Sequence, residues 1–496
     1  MLTTRWSEFE SVGARKVGAN SKRRRDDWSP HGDKLAELRA ATRSTRRRTV
    51  MSVDGAPVIR LVTIGQATMV VIEDDRVLLA TDPWLVGRAY WGSWCLDRYP
   101  SDADRALVAA AEHVYLTHGH PDHFHHESLR LVAPDHALHP MFPNESIPTA
   151  LGELGITACA LEPGVWFHLS DAVRISSIPV PLDDSILIVD TPHATIVNVN
   201  DSVPSTALLR VIRRRYVGPT KRVVLLKSHS PASVGSCIYR DGTRTPISAP
   251  RDYAERIHKV AAALSAHTVV SFASQIYFDR DDSRWANDHR VRWDEIRRLS
   301  GDPVIAPYVD MDLETLENAS VDGDLVAGAA SRPGYVPVDA AARPEELVGR
   351  LEAYLAALPL LSLVMPHGIG WELTMSGTTW RYDSRSKRVT QGLGRATDMV
   401  VRVADDAVER ALSGGRFADL GLAMVTRIES NVDERRPYLF FFLGQLHDEG
   451  YLDSPLRLAR TVWYYARFAV PALNRLWWTK ASQTRALPRG SLAPTD

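Results

Sequence analysis

One short segment constrains the fold of this chain more than any other: residues 117–123 are Thr-His-Gly-His-Pro-Asp-His. An apolar run at residues 113–116 predicts a buried strand before the segment, and residues near 128–132 predict a helix after it. Side chains two residues apart on a strand point to the same side, so the first two histidines project together and the turn carries the other donors back across the opening. We therefore predict a metal site formed by His118, His120, Asp122 and His123.

The mixture of donor types limits which metal such a site would hold. Imidazole nitrogens suit both Zn²⁺ and Fe²⁺, and an added carboxylate shifts the preference towards harder ions such as iron or manganese. A histidine-rich surface loop is the competing interpretation, because the chain contains 17 histidines. The position of the segment between a strand and a helix favours the ligand interpretation. His125 and His126 lack that spacing, and we predict that they are exposed or support the ligands.

Composition excludes several classes of protein. The 496 residues are enough for two or three domains, and 45% hydrophobic with 24% charged residues is the balance of an ordinary globular protein. The 59 Lys and Arg nearly cancel the 60 Asp and Glu, so no global charge favours nucleic acid as a partner. The three cysteines form no Cys-x-x-Cys pair, and the sequence has no apolar run of about 18 residues that would suit a membrane span. We expect a cytoplasmic protein without a transmembrane segment.

Local changes in composition and apolar pattern predict three regions. Residues 1–55 are rich in Lys and Arg and lack apolar periodicity, which indicates a basic mobile arm. Residues 56–325 alternate β-branched runs with helical stretches, the pattern of a layered α/β domain. A stretch rich in Gly, Ala and Pro near residues 325–345 predicts a boundary, so residues 326–496 are predicted to form a C-terminal accessory domain.

Residues 117–124 resemble the signature of the metallo-β-lactamase superfamily. The resemblance implies an α/β fold, an αββα sandwich of two sheets with the metal site at one edge. It also implies a first metal at His118 and His120 and a second metal at Asp122 and His123. Residues 65–85 resemble the opening hairpins of that fold, in which the aspartate at the position of Asp82 supports the ligands.

The superfamily also implies a bridging carboxylate and a third ligand on a downstream loop. Asp201 closes an apolar strand and matches the bridging position, so we expect it to act in catalysis together with Asp122. The usual histidine of the preceding loop is missing here. Asp183 or Asp184 is predicted to take its place, or else to be a solvated turn residue.

Three further histidines are candidates for the ligands that remain. His193 lies in the turn of a predicted hairpin and is the weaker substitute for the missing loop histidine. His229 and His289 are both available for the last ligand of the superfamily. If neither binds, the site holds one metal or serves a reaction other than hydrolysis.

Residues 82–94 carry a more specific resemblance. They are similar to the catalytic part of CMP-N-acetylneuraminate hydroxylases and their bacterial relatives, and the similarity extends over roughly residues 58–480. Those hydroxylases contain a Rieske iron–sulfur domain that supplies electrons, whereas this sequence has no Cys-x-His and Cys-x-x-His pairs. The resemblance therefore implies that electrons come from a separate protein or from a reduced cosubstrate. In this segment Arg88, Tyr90, Trp91 and Trp94 are predicted either to face a polar substrate or to pack as an ordinary turn.

The C-terminal region carries a resemblance of its own. Residues 370–382 and 435–438 resemble parts of a sterol-carrier-like module, which implies an α+β accessory domain. We expect this domain to shape the pocket or to form a dimer contact.

The predicted ligands are compatible with two chemistries and with one role that is not catalytic. We favour a non-haem iron oxygenase or hydroxylase that binds one or two metal ions and acts on a small polar metabolite. The alternative enzyme is a zinc-dependent hydrolase of an ester, lactone or phosphodiester, in which a metal-bound water attacks the substrate. The third alternative is a non-catalytic metal-binding interaction protein.

Overall fold

Short strands with apolar side chains form two β-sheets. The first sheet contains β1 (Ile59–Thr63), β2 (Met69–Glu73), β3 (Arg76–Thr81), β5 (His113–Tyr115), β6 (His136–Pro140), β7 (Thr157–Leu161), β18 (Val309–Asp312) and β19 (Asn318–Ser320). The second sheet contains β8 (Phe167–His168), β9 (Arg174–Val180), β10 (Asp184–Asp190), β11 (Ala194–Asn200), β12 (Arg222–Lys227), β15 (Thr268–Ser271) and β17 (Val304–Ile305). The strand orders are β19-β18-β1-β2-β3-β5-β6-β7 and β17-β15-β12-β11-β10-β9-β8.

The structure is a computed structural model that describes residues 57–181, 183–229, 232–301, 303–320, 335, 340, 342–393 and 397–469. The predicted basic arm at residues 1–55 lies outside the described residues. So does most of the predicted boundary near residues 325–345. No helix among the described residues is long and apolar enough to cross a membrane.

Four layers follow from where the apolar side chains meet. Leu61, Leu79, Leu187, Ile196 and other buried residues of both sheets form one core, so the sheets pack face to face. The outer face of the first sheet is covered by α1 (Asp102–Ala109), α2 (His126–Val132) and α3 (Ser146–Glu153). The outer face of the second sheet is covered by α4 (Thr206–Tyr216), α5 (Pro250–Leu264) and α6 (Trp293–Ser300). The predicted α/β class and αββα sandwich are confirmed.

A third sheet gathers strands from both sides of residue 325. It contains β13 (Ile238–Arg240), β14 (Thr243–Arg244), β20 (Ile369–Leu373), β21 (Thr378–Asp383), β22 (Arg388–Gln391), β23 (Met399–Val403) and β24 (Arg427–Ser430) in the order β14-β13-β24-β23-β20-β21-β22. A separate pair of strands, β4 (Trp94–Leu96) and β16 (Ile276–Phe278), is antiparallel. The division of the chain into domains at residue 325 stays a prediction.

In the described part of the C-terminal region the helices are α7 (Pro344–Ala357), α8 (Leu361–Val364), α9 (Asp405–Ser413), α10 (Asp419–Leu422), α11 (Arg435–Asp448) and α12 (Pro455–Ala469). Short 3₁₀ turns lie at Tyr90–Gly92, Val234–Cys237 and Arg284–His289. One continuous apolar core joins α7, α9 and the third sheet to Trp84, Tyr90 and Trp94. The C-terminal helices therefore pack directly on the segment that follows β3.

Strand direction brings the predicted ligands to one edge of the sandwich. β3 pairs parallel with β5, so Asp82 and residues 117–123 leave the first sheet at the same end. β11 pairs parallel with β12, which places Asp201 at the corresponding end of the second sheet. β10 runs antiparallel to β11 and begins there with Asp184. The carboxyl ends of parallel strands meet at one edge, so one edge collects these side chains.

A buried ion pair joins the end of β16 to the C-terminal region. Both terminal nitrogens of Arg280 donate to the carboxylate of Asp406 in α9, at 2.8 and 2.9 Å. Arg280 also donates to Asp282 at 2.9 and 2.8 Å. The Arg280 side chain is fully buried and that of Asp406 is 2% exposed.

We predict that Arg280→Met lowers the free energy of unfolding by about 3 to 5 kcal/mol, because it leaves the Asp406 carboxylate buried without its partner. The control is Arg251→Met, since Arg251 and Glu255 form an exposed pair and its loss should cost less than about 1 kcal/mol. Denaturant unfolding followed by circular dichroism measures both. Equal losses in the two variants would contradict the structural role of the buried pair.

Candidate metal centre

Asp82 ties two strand ends together beneath the site. Its carboxylate accepts hydrogen bonds from the backbone N–H and the hydroxyl of Thr117, both at 2.7 Å. The Nδ1 of His123 lies 3.0 Å from the carboxylate oxygen that accepts from the Thr117 hydroxyl. Both Asp82 and His123 are fully buried. A carboxylate on Nδ1 fixes the proton there, so the Nε2 lone pair of His123 is left for a ligand.

Left-handed backbone marks the two turns that carry these residues. The φ of Asp82 is 40° and that of Asn200 is 55°. Such conformations cost about 1 to 3 kcal/mol each in residues other than glycine, and they concentrate at functional sites. The amide of Asn200 donates to the Thr117 hydroxyl at 3.2 Å, and the ammonium of Lys227 donates to the Asn200 carbonyl at 3.0 Å. These contacts hold the turn that presents Asp201.

The inward nitrogens of three histidines converge near one carboxylate. The Nε2 of His118 lies 2.8 Å from the Nδ1 of His120 and 3.8 Å from an oxygen of Asp201. His118, His120 and Asp201 each offer a ligand atom, and these atoms all lie within 4.8 Å of one another. The Nε2 of His123 lies 3.9 Å from the same Asp201 oxygen and 3.2 Å from Asp122. Asp201 thus lies between His118 and His120 on one side and His123 and Asp122 on the other. This arrangement could hold one metal ion or two.

The environment of His123 fits a cation. Its buried Nε2 faces carboxylate oxygens, of Asp122 at 3.2 Å and of Asp201 at 3.9 Å. Burial lowers the pKa of His123, but the charges of Asp122, Asp201 and Asp82 outweigh it and raise that pKa well above the usual value. The pocket therefore favours a positive charge at this position, which a bound metal ion would supply in place of a proton.

Two further donors, His118 and Asp122, have pKa values that favour the forms that bind a metal. Burial, with the charges of the neighbouring imidazoles, lowers the pKa of His118 well below its usual value, so the ring is neutral and offers a lone pair. Burial opposes ionisation of Asp122, but the charge and hydrogen bond of His123 lower the pKa of Asp122 to about 2. The hydroxyl of Tyr90 donates to Asp122 at 2.9 Å, and the amide of Gln66 donates at 3.4 Å. His118 and Asp122 can therefore bind a metal without first losing a proton at neutral pH.

The two adjacent aspartates at the start of β10 have different partners. Asp184 lies 3.4 Å from the Nδ1 of His118, on the ring edge away from the Nε2 that faces Asp201. Asp183 accepts hydrogen bonds from Asn144, at 3.0 Å, and from the hydroxyls of Tyr451 and Tyr465. The structure brings Asp184 to the histidine cluster and ties Asp183 to the C-terminal region.

The described contacts of the remaining candidate histidines are with other residues. His125 accepts from the N–H of Ser128 and caps α2, whereas His126 and His193 are exposed. His229 is buried, and its Nδ1 lies 3.2 Å from the Ser271 hydroxyl. His289 lies 2.9 Å from a guanidinium nitrogen of Arg244.

Of the four residues predicted to face a substrate or pack as a turn, Tyr90 alone is placed at the donor cluster by a described contact. Arg88 pairs with Asp279 at 2.6 Å. Trp94 packs on Tyr90, with ring centroids 4.5 Å apart, and the carbonyl of Trp91 accepts from Arg280. Most of this segment therefore forms a packed connection to the C-terminal region.

Two residues of the C-terminal region reach the site and were not predicted. An oxygen of Asp419 lies 3.9 Å from the Nε2 of His120. A methyl group at Gly119 would lie 3.0 Å from a guanidinium nitrogen of Arg416, so this cation lies over the glycine of the motif. Both residues lie about 300 positions after the motif, and no local pattern in the sequence marks them.

Comparisons with known proteins find distant relatives. No family model matches the chain. Two curated sequences, from two strains of Mycobacterium tuberculosis, are 27% identical to it over 165 residues, and both are named as Rieske 2Fe-2S iron-sulfur proteins. The match covers 29% of this chain and spans only 30% of the length of those relatives.

Solved structures show a loose likeness. A mutant of CmlA beta-hydroxylase is 15% identical, with 55% of this chain and 57% of that chain covered and a TM-score of 0.35. The diiron beta-hydroxylase CmlA from Streptomyces venezuelae is 16% identical, with 51% and 52% covered and a TM-score of 0.34. The metallo-beta-lactamase fold protein YhfI from Bacillus subtilis is 12% identical, with 51% and 97% covered and a TM-score of 0.33. Scores this low carry no argument about the chemistry of this chain.

The neighbouring aspartates provide a matched test of the site. We predict that Asp184→Asn weakens Fe²⁺ binding by about 10-fold to 100-fold, because the carboxylate no longer orients His118. Asp183→Asn should leave Fe²⁺ binding unchanged, since Asp183 contacts tyrosines and Asn144 instead. Anaerobic competition with a coloured chelator measures both affinities. The assignment of Asp184 is wrong if the two variants bind Fe²⁺ equally well.

Asp183 also predicts a pH dependence of stability. Burial, with the charge of Glu449, raises the pKa of Asp183 to about 7 in the folded protein. Between about pH 4 and pH 7 the folded chain keeps a proton that the unfolded chain has lost, so this residue destabilises the fold increasingly as pH rises. The stability of Asp183→Asn relative to the wild type should therefore grow by up to about 1.4 kcal/mol per pH unit across that interval. Denaturant unfolding at several pH values measures it, and a constant difference would contradict the raised pKa.

Proposed function

We propose that this chain is a non-haem iron oxygenase or hydroxylase that acts on a small polar metabolite. One observation carries the proposal: the ligand atoms of His118, His120 and Asp201 lie within 4.8 Å of one another. Two histidines and one carboxylate, with open positions, are the donor set of non-haem Fe(II) oxygenases. Asp122 adds a second carboxylate close to the cluster, which favours a hard ion over zinc.

The chain's own residues would prepare this centre for its reaction. Reduced iron bound here would supply the activation of dioxygen that hydroxylation needs. His118 is kept neutral, and Tyr90 and Gln66 orient the ionised Asp122. The Asp201 side chain is 38% exposed, whereas His118 and His123 are almost fully buried. Substrate would therefore approach from the side of Asp201.

A polar substrate is supported by the charge beside the opening. The Arg416 side chain is 28% exposed and lies over Gly119, between His118 and His120 in the motif. A guanidinium in that place would bind an anionic or strongly polar group of the substrate through charge-assisted hydrogen bonds. A substrate would thus need both a polar group that binds Arg416 and a bond into which oxygen can be inserted.

The electrons for the reaction would come from a separate donor. The three cysteines of this sequence, Cys95, Cys159 and Cys237, are buried and are not followed by the histidines that a Rieske cluster needs. The curated relatives are named as Rieske proteins, which supports an association of this kind of chain with iron–sulfur electron transfer. We propose that a partner protein supplies these electrons.

Metal content tests the proposal. Protein purified without oxygen should contain iron, and addition of a reductant with candidate polar metabolites should start oxygen uptake. The double variant His118→Ala with His120→Ala should lose the iron while its circular dichroism spectrum stays that of the wild type. His193→Ala with His289→Ala is the matched control and should retain the iron.

Other metal contents would support other functions. Two zinc ions per chain with no oxygen uptake would contradict the oxygenase and support the zinc-dependent hydrolase. A wild-type chain that binds neither iron nor zinc would contradict both enzymes.

A further inference from the structure

Each of the three imidazoles in the cluster has a carboxylate near its outward nitrogen. Asp82 lies 3.0 Å from the Nδ1 of His123, and Asp184 lies 3.4 Å from the Nδ1 of His118. The third carboxylate, Asp419, lies 3.9 Å from the Nε2 of His120. The first two carboxylates belong to the sandwich, whereas the third comes from α10 in the C-terminal region.

The orientation of His120 makes its Nε2 the outward nitrogen. Its Nδ1 is the atom that faces the Nε2 of His118, at 2.8 Å, and thus the atom on the ligand side. A neutral imidazole has one proton. Asp419 lies beyond hydrogen-bond distance of Nε2, but its negative charge at 3.9 Å favours the tautomer that keeps the proton there. That tautomer leaves the Nδ1 lone pair available. Asp82 favours the corresponding state of His123 from the opposite ring nitrogen, at 3.0 Å.

Asp419 is otherwise poorly satisfied for a buried carboxylate. It is 5% exposed, and its Oδ2 is buried without a hydrogen-bond partner among the described residues. The nearest cationic nitrogen, on Arg416, lies 3.8 Å from that oxygen, beyond hydrogen-bond distance. Burial of a charge without full pairing costs free energy, so the position of Asp419 beside His120 indicates a functional role.

We propose that Asp419 is a positioning residue of the metal centre, and that the C-terminal region completes the centre by fixing the tautomer and orientation of His120. This inference rests on the proposed metal site.

Both ends of α10 are held by hydrogen bonds. The N–H of Ala418 donates to Asp448 at 2.9 Å. The hydroxyl of Ser93, in the segment after β3, donates to the carbonyl of Ala423 at 2.5 Å. The helix that carries Asp419 is thus fixed from both the C-terminal side and the sandwich side.

Binding of Co²⁺, a spectroscopic probe, to the metal-free protein tests the proposal. Asp419→Asn should bind Co²⁺ about 10-fold to 100-fold more weakly than the wild type and should change the visible absorption of the bound ion. Removal of a buried charge should leave the melting temperature of the metal-free protein unchanged or raise it, which a purely structural carboxylate would not do. Asp419→Glu keeps the charge and should recover part of the affinity.

Glu449→Gln is the matched control, because Glu449 is a nearby carboxylate of the same region that accepts from Asn144. It should bind Co²⁺ as the wild type does. Wild-type affinity and an unchanged spectrum in Asp419→Asn would overturn the inference and leave the metal site standing. An equal loss in Glu449→Gln would also overturn it, because the effect would then be one of general charge. Failure of the wild type to bind Co²⁺ would overturn the metal site itself.

Discussion

The carboxylate of Asp82 is the contact on which the rest of the site depends. It fixes the backbone and hydroxyl of Thr117 at the end of β5 and also holds the ring of His123. The two hydrogen bonds to Thr117 set where the histidine motif leaves the first sheet. Without them neither the direction of His118 nor that of His123 would be fixed, and the donors would not converge.

Charge explains why these residues stay together. Asp82, Asp122 and Asp184 are buried within reach of three histidines, with Asp201 at the more exposed side. Burial raises the pKa of Asp184 well above its usual value, and the charge of Asp201 raises it further. Such a concentration of carboxylates is costly unless a cation shares it. A bound metal ion would satisfy the cluster better than protons do, so metal binding and the folded geometry should support each other.

Sequence reasoning succeeds where the signal is local. The strands near residues 59–81, 173–178 and 185–200 and the helices near residues 345–357 and 404–412 follow from apolar patterns and are confirmed within a few residues. The order of strand, motif and helix predicts the position of His118 and His120 at a strand end. The position of Asp201 could be predicted because this residue directly follows an apolar strand.

Contacts between distant segments were beyond such reasoning. Asp183 and Asp184 are neighbours, so no spacing rule shows which one turns towards His118. Tyr90 reaches Asp122 through a turn with left-handed backbone, a conformation that no pattern in that segment predicts. Asp419 enters the site because an apolar core packs the C-terminal helices on the segment after β3.

We propose that the inward nitrogens of His118 and His120 and the carboxylate of Asp201 share one iron ion. Anomalous diffraction at the iron absorption edge, from crystals grown with Fe²⁺ and without oxygen, tests this arrangement. We expect an anomalous peak within bonding distance of all three groups. A peak elsewhere, or none with the three side chains turned apart, would contradict it.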